Sequence, residues 1–200
     1  MAKSEGKNFE KDLEDSFDKT DITCIRLIDS AKWIQGQGAT FTPENKCDFI
    51  VFSPPLLYAL ELKSTKGSSI SFNPKEPWNK PEGEHTAVMI KANQVKSLLE
   101  FVQKPGVIAG FIFDFRAREL KTKVEPNQVF FVHINDFLEY AKLGTSSINR
   151  IDCESIGLEI KGKIKKVHYG YDVLSFIENS TNFCIKKGYI SPDLIMGKKK

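Results

Sequence analysis

Residues 47–64, CDFIVFSPPLLYALELKS, contain two apolar segments separated by Pro54 and Pro55. The segments at 47–53 and 56–64 are rich in strand formers, and the prolines between them fit a tight connection, so they read as adjacent strands. Asp48 opens the first segment, and Glu61-Leu62-Lys63 stand near the end of the second, with twelve residues between Asp48 and Glu61. Side chains alternate along a strand, which puts Glu61 and Lys63 on one face and Leu62 on the other. If the segments pair as an antiparallel hairpin, the start of the first lies beside the end of the second, and both carboxylates approach one hard cation. Mg²⁺ is the natural candidate, since it prefers one or two carboxylates completed by water and phosphate. D-x(12)-E-x-K also arises by chance, with Glu and Lys on the solvent face of an edge strand. The apolar flanks FIVF and LYAL argue against that here, because charges in a sheet interior cost several kcal/mol unless paired or metal-bound.

The surrounding pattern extends this reading. Phe9, Leu13 and Phe17 recur at every fourth residue and predict an amphipathic helix over 6–19. Residues 22–28, ITCIRLI, read as a strand, and 31–46, AKWIQGQGATFTPENK, as a Gly- and Pro-containing loop. A long polar loop is predicted over 66–85. A helix over 91–103 follows, with Val95, Leu98, Leu99 and Val102 on one face. VIAGFIFDF (107–115) reads as a buried central strand, and VFFVHI (129–134) as another. Asn135 is a candidate N-cap for a helix to Leu143. Residues 171–178 suggest one more helix, and disorder is expected from about 186. The fold class is therefore α/β, a mixed central sheet flanked by helices in the order αβββαβ. A single domain over 1–200 is expected, with its core at about 6–140 and additions at about 145–185.

Composition sets outer bounds. At 200 residues, 40% hydrophobic and 28% charged, the chain has the profile of a globular protein with a substantial core. A net charge of +3 says little about partners. Lys161, Lys163, Lys165 and Lys166 cluster, and the chain ends in Lys198, Lys199 and Lys200; a solvated face and a frayed tail are the ordinary readings, with phosphate contact the alternative. Cys24, Cys47, Cys153 and Cys184 form no CxxC pair, and His85, His133 and His168 have no ligand spacing, which argues against structural zinc. The amino terminus is too charged for a signal peptide, and no apolar run approaches the roughly 18 residues of a membrane helix, so a cytoplasmic protein with no membrane association is expected.

Together these features resemble the PD-(D/E)xK nuclease superfamily, in which a helix precedes a three-stranded meander bearing D and ExK, followed by a helix and a strand. Within it the chain most resembles the RecU-like Holliday junction resolvases of low-GC Gram-positive bacteria and their phages. The likenesses are Gly6-Lys7-Asn8-Phe9-Glu10-Lys11-Asp12-Leu13, the spacing of Asp48, Glu61 and Lys63, Ser69 to Phe72, and Asn93-Gln94 opening the second helix. They span roughly residues 6–140. The resemblance adds Glu10 as a third metal ligand, and Gln94 as a contact to a metal-bound water or the scissile phosphate. Three departures accompany it. The family's long stalk is replaced by the short segment 29–47, its Thr-Thr before the aspartate is Lys46-Cys47, and the loop between Lys63 and Gln94 is longer.

The chemistry expected is water attack on a phosphodiester, leaving 5′-phosphate and 3′-hydroxyl ends. A metal between Asp48 and Glu61 would activate the water and offset charge on phosphorus. Lys63 would orient the water and screen developing charge, ahead of acting as a base, since that role needs a lowered pKa. The resemblance implies Mg²⁺, with Mn²⁺ as a substitute, four-way DNA junctions as substrate, and a homodimer, because paired nicks need paired sites. Candidate DNA contacts are Lys7, Lys66, Ser69, Ser71, Lys75, Trp78, Lys80 and Lys91, with Trp78 stacking on an exposed base. The alternatives are a general or restriction-type nuclease on duplex or branched DNA, a DNA-binding protein that keeps the fold without catalysis, and a fortuitous motif.

Overall fold

The structure, a computed structural model, describes residues 5–28, 32–34, 38–40, 45–80 and 87–196. Lys198, Lys199, Lys200 and His85 lie outside the described residues. In chain order the elements begin with α1 (Glu5–Phe17), β1 (Thr23–Arg26), β2 (Lys32–Ile34), β3 (Gly38–Thr40), β4 (Phe49–Ser53), β5 (Leu56–Thr65) and β6 (Ser69–Ser71). They continue with α2 (Ala92–Val102), β7 (Val107–Phe115), β8 (Arg118–Glu119), β9 (Val124–Glu125), β10 (Gln128–His133) and α3 (Ile134–Ala141). The carboxyl-terminal third holds β11 (Ser147–Asn149), α4 (Arg150–Ile156), β12 (Leu158–Ile160), β13 (Gly162–Lys165), β14 (His168–Tyr171), α5 (Val173–Lys186) and α6 (Pro192–Met196).

A mixed six-stranded sheet, ordered β1-β4-β5-β7-β10-β12, forms the centre. Its one parallel pair is β5 with β7, and α2 lies in the crossover that a parallel connection requires. Every other neighbouring pair is antiparallel. Strand β7 is buried along nearly its whole length because it lies between β5 and β10 with helices over both faces, which is why VIAGFIFDF shows no alternation. Gly110 marks its tightest point, where a Cβ would meet the Val132 carbonyl and come within 2.8 Å of the Phe131 ring.

The two faces carry separate apolar clusters. On one, α1 and α5 cover Phe49, Tyr58, Leu60, Leu62 and Ile112. Phe9, Leu13 and Phe17 are buried there as the helical period predicts, each worth about 1.5–3 kcal/mol of transfer free energy. On the other, α2, α3 and α4 cover Ala59, Phe111, Phe113, Phe130 and Val132, and Phe137 sits edge-on to Phe72 and Phe111.

Several boundaries differ from the sequence reading. The polar stretch after β5 contains strand β6, which pairs with β11 across 76 residues at Ser71↔Ser147, so its partner was out of reach of local pattern. The stretch 31–46 contributes the ribbon of β2 and β3. The N-cap of α3 is His133, whose Nδ1 accepts from the Asn135 N–H, rather than Asn135 itself. Helix α5 runs to Lys186, and the chain stays ordered beyond it: Ile190 is buried and Lys187 pairs with Asp136 at 2.8 Å.

Burial holds the His133 imidazole well below its ordinary 6.5, at about 4, with Asp136 opposing the shift. The unfolded chain therefore takes up a proton that the native state refuses, and stability present above pH 6.5 is lost as pH falls towards about 4. A His133→Asn variant keeps an acceptor at the cap but loses the titration. Urea denaturation is expected to show it losing about 2 kcal/mol less stability than the parent between pH 7 and pH 5.

Candidate active site

The antiparallel pairing of β4 with β5 sets Phe49 opposite Leu60, which brings Asp48 beside Glu61 at one end of the sheet. Asp48 is held from both sides through its backbone: its N–H donates to the Leu60 carbonyl at 3.0 Å, and its own carbonyl accepts from Leu27 N–H at 2.8 Å. Its side chain takes over the next rung, with Oδ2 accepting from Leu62 N–H at 2.7 Å. One carboxylate oxygen is thus fixed to the strand that carries Glu61 and Lys63. Leu62 points to the face covered by α1, and Glu61 and Lys63 point to the face covered by α2.

Glu61 is only 3% exposed. Its Oε1 accepts from Lys63 Nζ at 2.7 Å and from Gln94 Nε2. Gln94 stands in the first turn of α2, where its Oε1 accepts from Lys91 N–H at 2.9 Å, so one amide both caps the helix and holds the carboxylate. Burial is the main cause that pushes Glu61 up to about 7; Lys63 opposes it, while Asp48 adds repulsion and accepts a hydrogen bond from the protonated form. The Cys47 thiol, buried next to this pair, is pushed up to about 12 by burial and by the charges of Glu61 and Asp48. It stays protonated, and the available donors are oxygens.

These features fit a hard divalent cation. Burial, with Asp48 adding to it, pushes Glu61 up to about 7, and a cation is what would displace its proton. Among the described residues no cluster of three or more His, Cys, Asp and Glu side chains forms a metal cage. Asp48 and Glu61 are the residues that would hold Mg²⁺, with water and phosphate completing its shell.

Glu10 is engaged in an ion pair. It lies on the α1 side of the sheet in an ion pair with Arg26 of β1, which also reaches Glu14 at 3.4 Å. Arg26 is opposite Phe49 in the sheet and was not singled out by the sequence reading. The candidate DNA contacts also divide. Lys7, Lys66, Lys75, Lys80 and Lys91 are exposed. Ser69 and Ser71 are half-buried in the β6–β11 pairing, and Ser71 Oγ already accepts from Met89 N–H at 3.1 Å. Trp78 is half-buried and packs against the cluster beneath α2 and α3. Lys46 pairs with Glu100 at 2.6 Å.

A second polar set was visible as a lone acid in an apolar run. Asp114 of β7 is 2% exposed; it accepts from Ser64 Oγ and from Asn127 Nδ2, each at 2.6 Å. Burial pushes it up to about 6, and the two hydrogen bonds and Arg150 hold it from rising further.

The chain is 36% identical over 183 residues to the SPbeta prophage-derived uncharacterized protein YotM of Bacillus subtilis strain 168, covering 85% of this chain and 83% of that protein. It belongs to the YotM family. No family model matches the sequence. Among solved structures, this YotM relative is similar to Hjc of Archaeoglobus fulgidus, a Holliday junction resolvase from an archaeal hyperthermophile; the TM-score is 0.45 at 19% identity, covering 77% of this chain and 95% of that one.

A buried carboxylate destabilises the fold that carries it. Glu61→Gln keeps the acceptor for Lys63 and Gln94 and offers Asp48 a donor. In EDTA at neutral pH it is expected to raise the melting temperature, by the equivalent of about 1 kcal/mol; a lower melting temperature would mean that the ionised group is a net stabiliser.

Proposed function

We propose that the chain is a divalent-metal-dependent endodeoxyribonuclease of the PD-(D/E)xK type that cuts branched DNA. The observation that carries this reading is the convergence of Asp48, Glu61, Lys63 and Gln94 at one end of the sheet, with Asp48 bonded to the very strand that bears the other two charges. Such a set costs stability and serves no packing purpose, which is the signature of a site shaped for chemistry.

When bound, the metal supplies Lewis-acid stabilisation of the phosphate and lowers the pKa of a water. The residues supply position. Asp48 is anchored through Oδ2 to the Leu62 N–H, so it cannot swing away from Glu61. Gln94 and Lys63 both hold Glu61 Oε1 and thereby fix the direction of its other oxygen. Lys63 keeps a cation beside the scissile phosphate, where it orients the attacking water and offsets the growing negative charge. Its role on this reading is orientation and charge screening.

Four-way junctions are the substrate favoured by the resemblance of the motif order to RecU-like resolvases. Symmetric nicking of a junction calls for two sites, hence a homodimer. Glu10 joins the site only if its pairing with Arg26 opens.

The test is cleavage of a synthetic four-way junction and a linear duplex of the same sequence, in Mg²⁺, Mn²⁺ and EDTA. Metal-dependent paired nicks confined to the junction are expected. Asp48→Ala should reduce cutting to background while DNA binding persists, and Lys63→Ala should lower the rate by about 10²–10³-fold. Equal cutting of both substrates would make it a general nuclease, and unchanged cutting by Asp48→Ala would overturn the site.

A further inference from the structure

The ribbon formed by β13 and β14 stands outside the central sheet, with only its base, at Tyr169 and Tyr171, packed against the core. Its register pairs Gly162 with Tyr171 and Lys165 with His168, leaving Lys166 and Val167 as a two-residue tip. The segment 161–168, KGKIKKVH, carries four lysines and no acid. All eight residues are exposed, Val167 at 83% and Ile164 at 63%. Lys161 pairs with Glu159, whereas Lys163, Lys165 and Lys166 have no acidic partner among the described residues.

The base of the ribbon, by contrast, is fixed to α1. Asp12, 5% exposed, hydrogen bonds to His168 Nδ1 at 2.7 Å and accepts from Tyr169 N–H at 2.9 Å. Ser16 Oγ accepts from Tyr171 N–H at 3.0 Å, and the Tyr171 ring meets Phe9 edge-on. At the tip Lys166 has φ 63, a backbone state that favours glycine and costs a lysine about 1 kcal/mol. Gly170 leaves the space through which the Lys165 side chain crosses the ribbon, since a Cβ there would lie 2.9 Å from its Cε. The result is a pre-set row of cations on a rigid mount. Long flexible side chains held this way lose less freedom when they meet a polyanion.

The ribbon packs on α1, so it lies on the face of the sheet opposite the one to which Glu61 and Lys63 point, near the same strand ends. Ser64, the residue after Lys63, reaches Asp114, and Asp114 shares a cleft with Val167 and Tyr169 of the ribbon.

We infer that the β13–β14 ribbon is a DNA-backbone clamp in which Lys163, Lys165 and Lys166 each engage a phosphate of the bound DNA away from the scissile one. This rests on the nuclease reading and adds the surface that grips the substrate. A ribbon is narrow enough to follow one backbone, and its contacts are to charge, so it adds affinity and orientation without sequence preference.

The experiment measures binding to a synthetic four-way junction and to a duplex in Ca²⁺ across a salt series, for the full chain and for a Lys163→Gln, Lys165→Gln, Lys166→Gln triple variant. Each phosphate contact contributes about 0.9 to the slope of log affinity against log salt on duplex DNA, so the slope should become shallower by about 2–3 units. An unchanged far-ultraviolet circular dichroism melt checks the fold. An unchanged slope in a variant that melts normally overturns the clamp while leaving the nuclease reading intact. Failure of the parent chain itself to bind either DNA at low salt overturns both. A charge-swapped Lys163→Glu, Lys165→Glu pair should weaken binding further than the glutamine variant, and equal affinities would also contradict the clamp.

Discussion

The pairing of Asp48 with the strand that follows it is the constraint from which the rest of the site derives. An antiparallel hairpin with Phe49 opposite Leu60 has one consequence at its open end: two carboxylates meet on the face under α2. Neither would remain there without compensation. Asp48 has the Leu62 N–H, and Glu61 has Lys63 and Gln94. A one-residue slip of β4 against β5 would turn Asp48 to the α1 face, so the hydrophobic alternation that fixes register also fixes the chemistry.

That dependence explains why the centre of the fold was legible in sequence and its periphery was not. Phe9, Leu13 and Phe17 declare a helical stripe, and VIAGFIFDF can only be a doubly covered strand; both signals are local and both are buried as expected. The Asp48, Glu61 and Lys63 set follows from strand alternation and hairpin geometry alone. The place of Gln94 came through family resemblance, since nothing local distinguishes it from any glutamine at a helix start. Long-range pairings left no such trace. Ser71 meets Ser147, and Asp12 meets His168, through contacts that no local period encodes. The pairing of Glu10 with Arg26 is of the same kind: its partner lies on another element, and an arginine in a short strand carries no sign of the helix it will meet.

The molecule tolerates several buried ionisable groups, and they differ in how well each is matched. Asp114 has two donors on its two oxygens and is well satisfied for a buried acid. Asp12 uses both oxygens to fasten the β14 ribbon to α1. Glu61 is the least comfortable, held neutral near pH 7 by burial and by Asp48. On the proposed reading this discomfort is where cation affinity comes from, because a site that resists its own charge gains most when a divalent ion enters.

The central claim is that Asp48 and Glu61 share a metal ion, and anomalous scattering from a Mn²⁺-soaked crystal tests it most directly. The account predicts a peak within about 2.3 Å of oxygens from both carboxylates. Contradiction would come from a well-ordered site in saturating Mn²⁺ with no density between Asp48 and Glu61 and with Lys63 and Gln94 still closed over the Glu61 carboxyl.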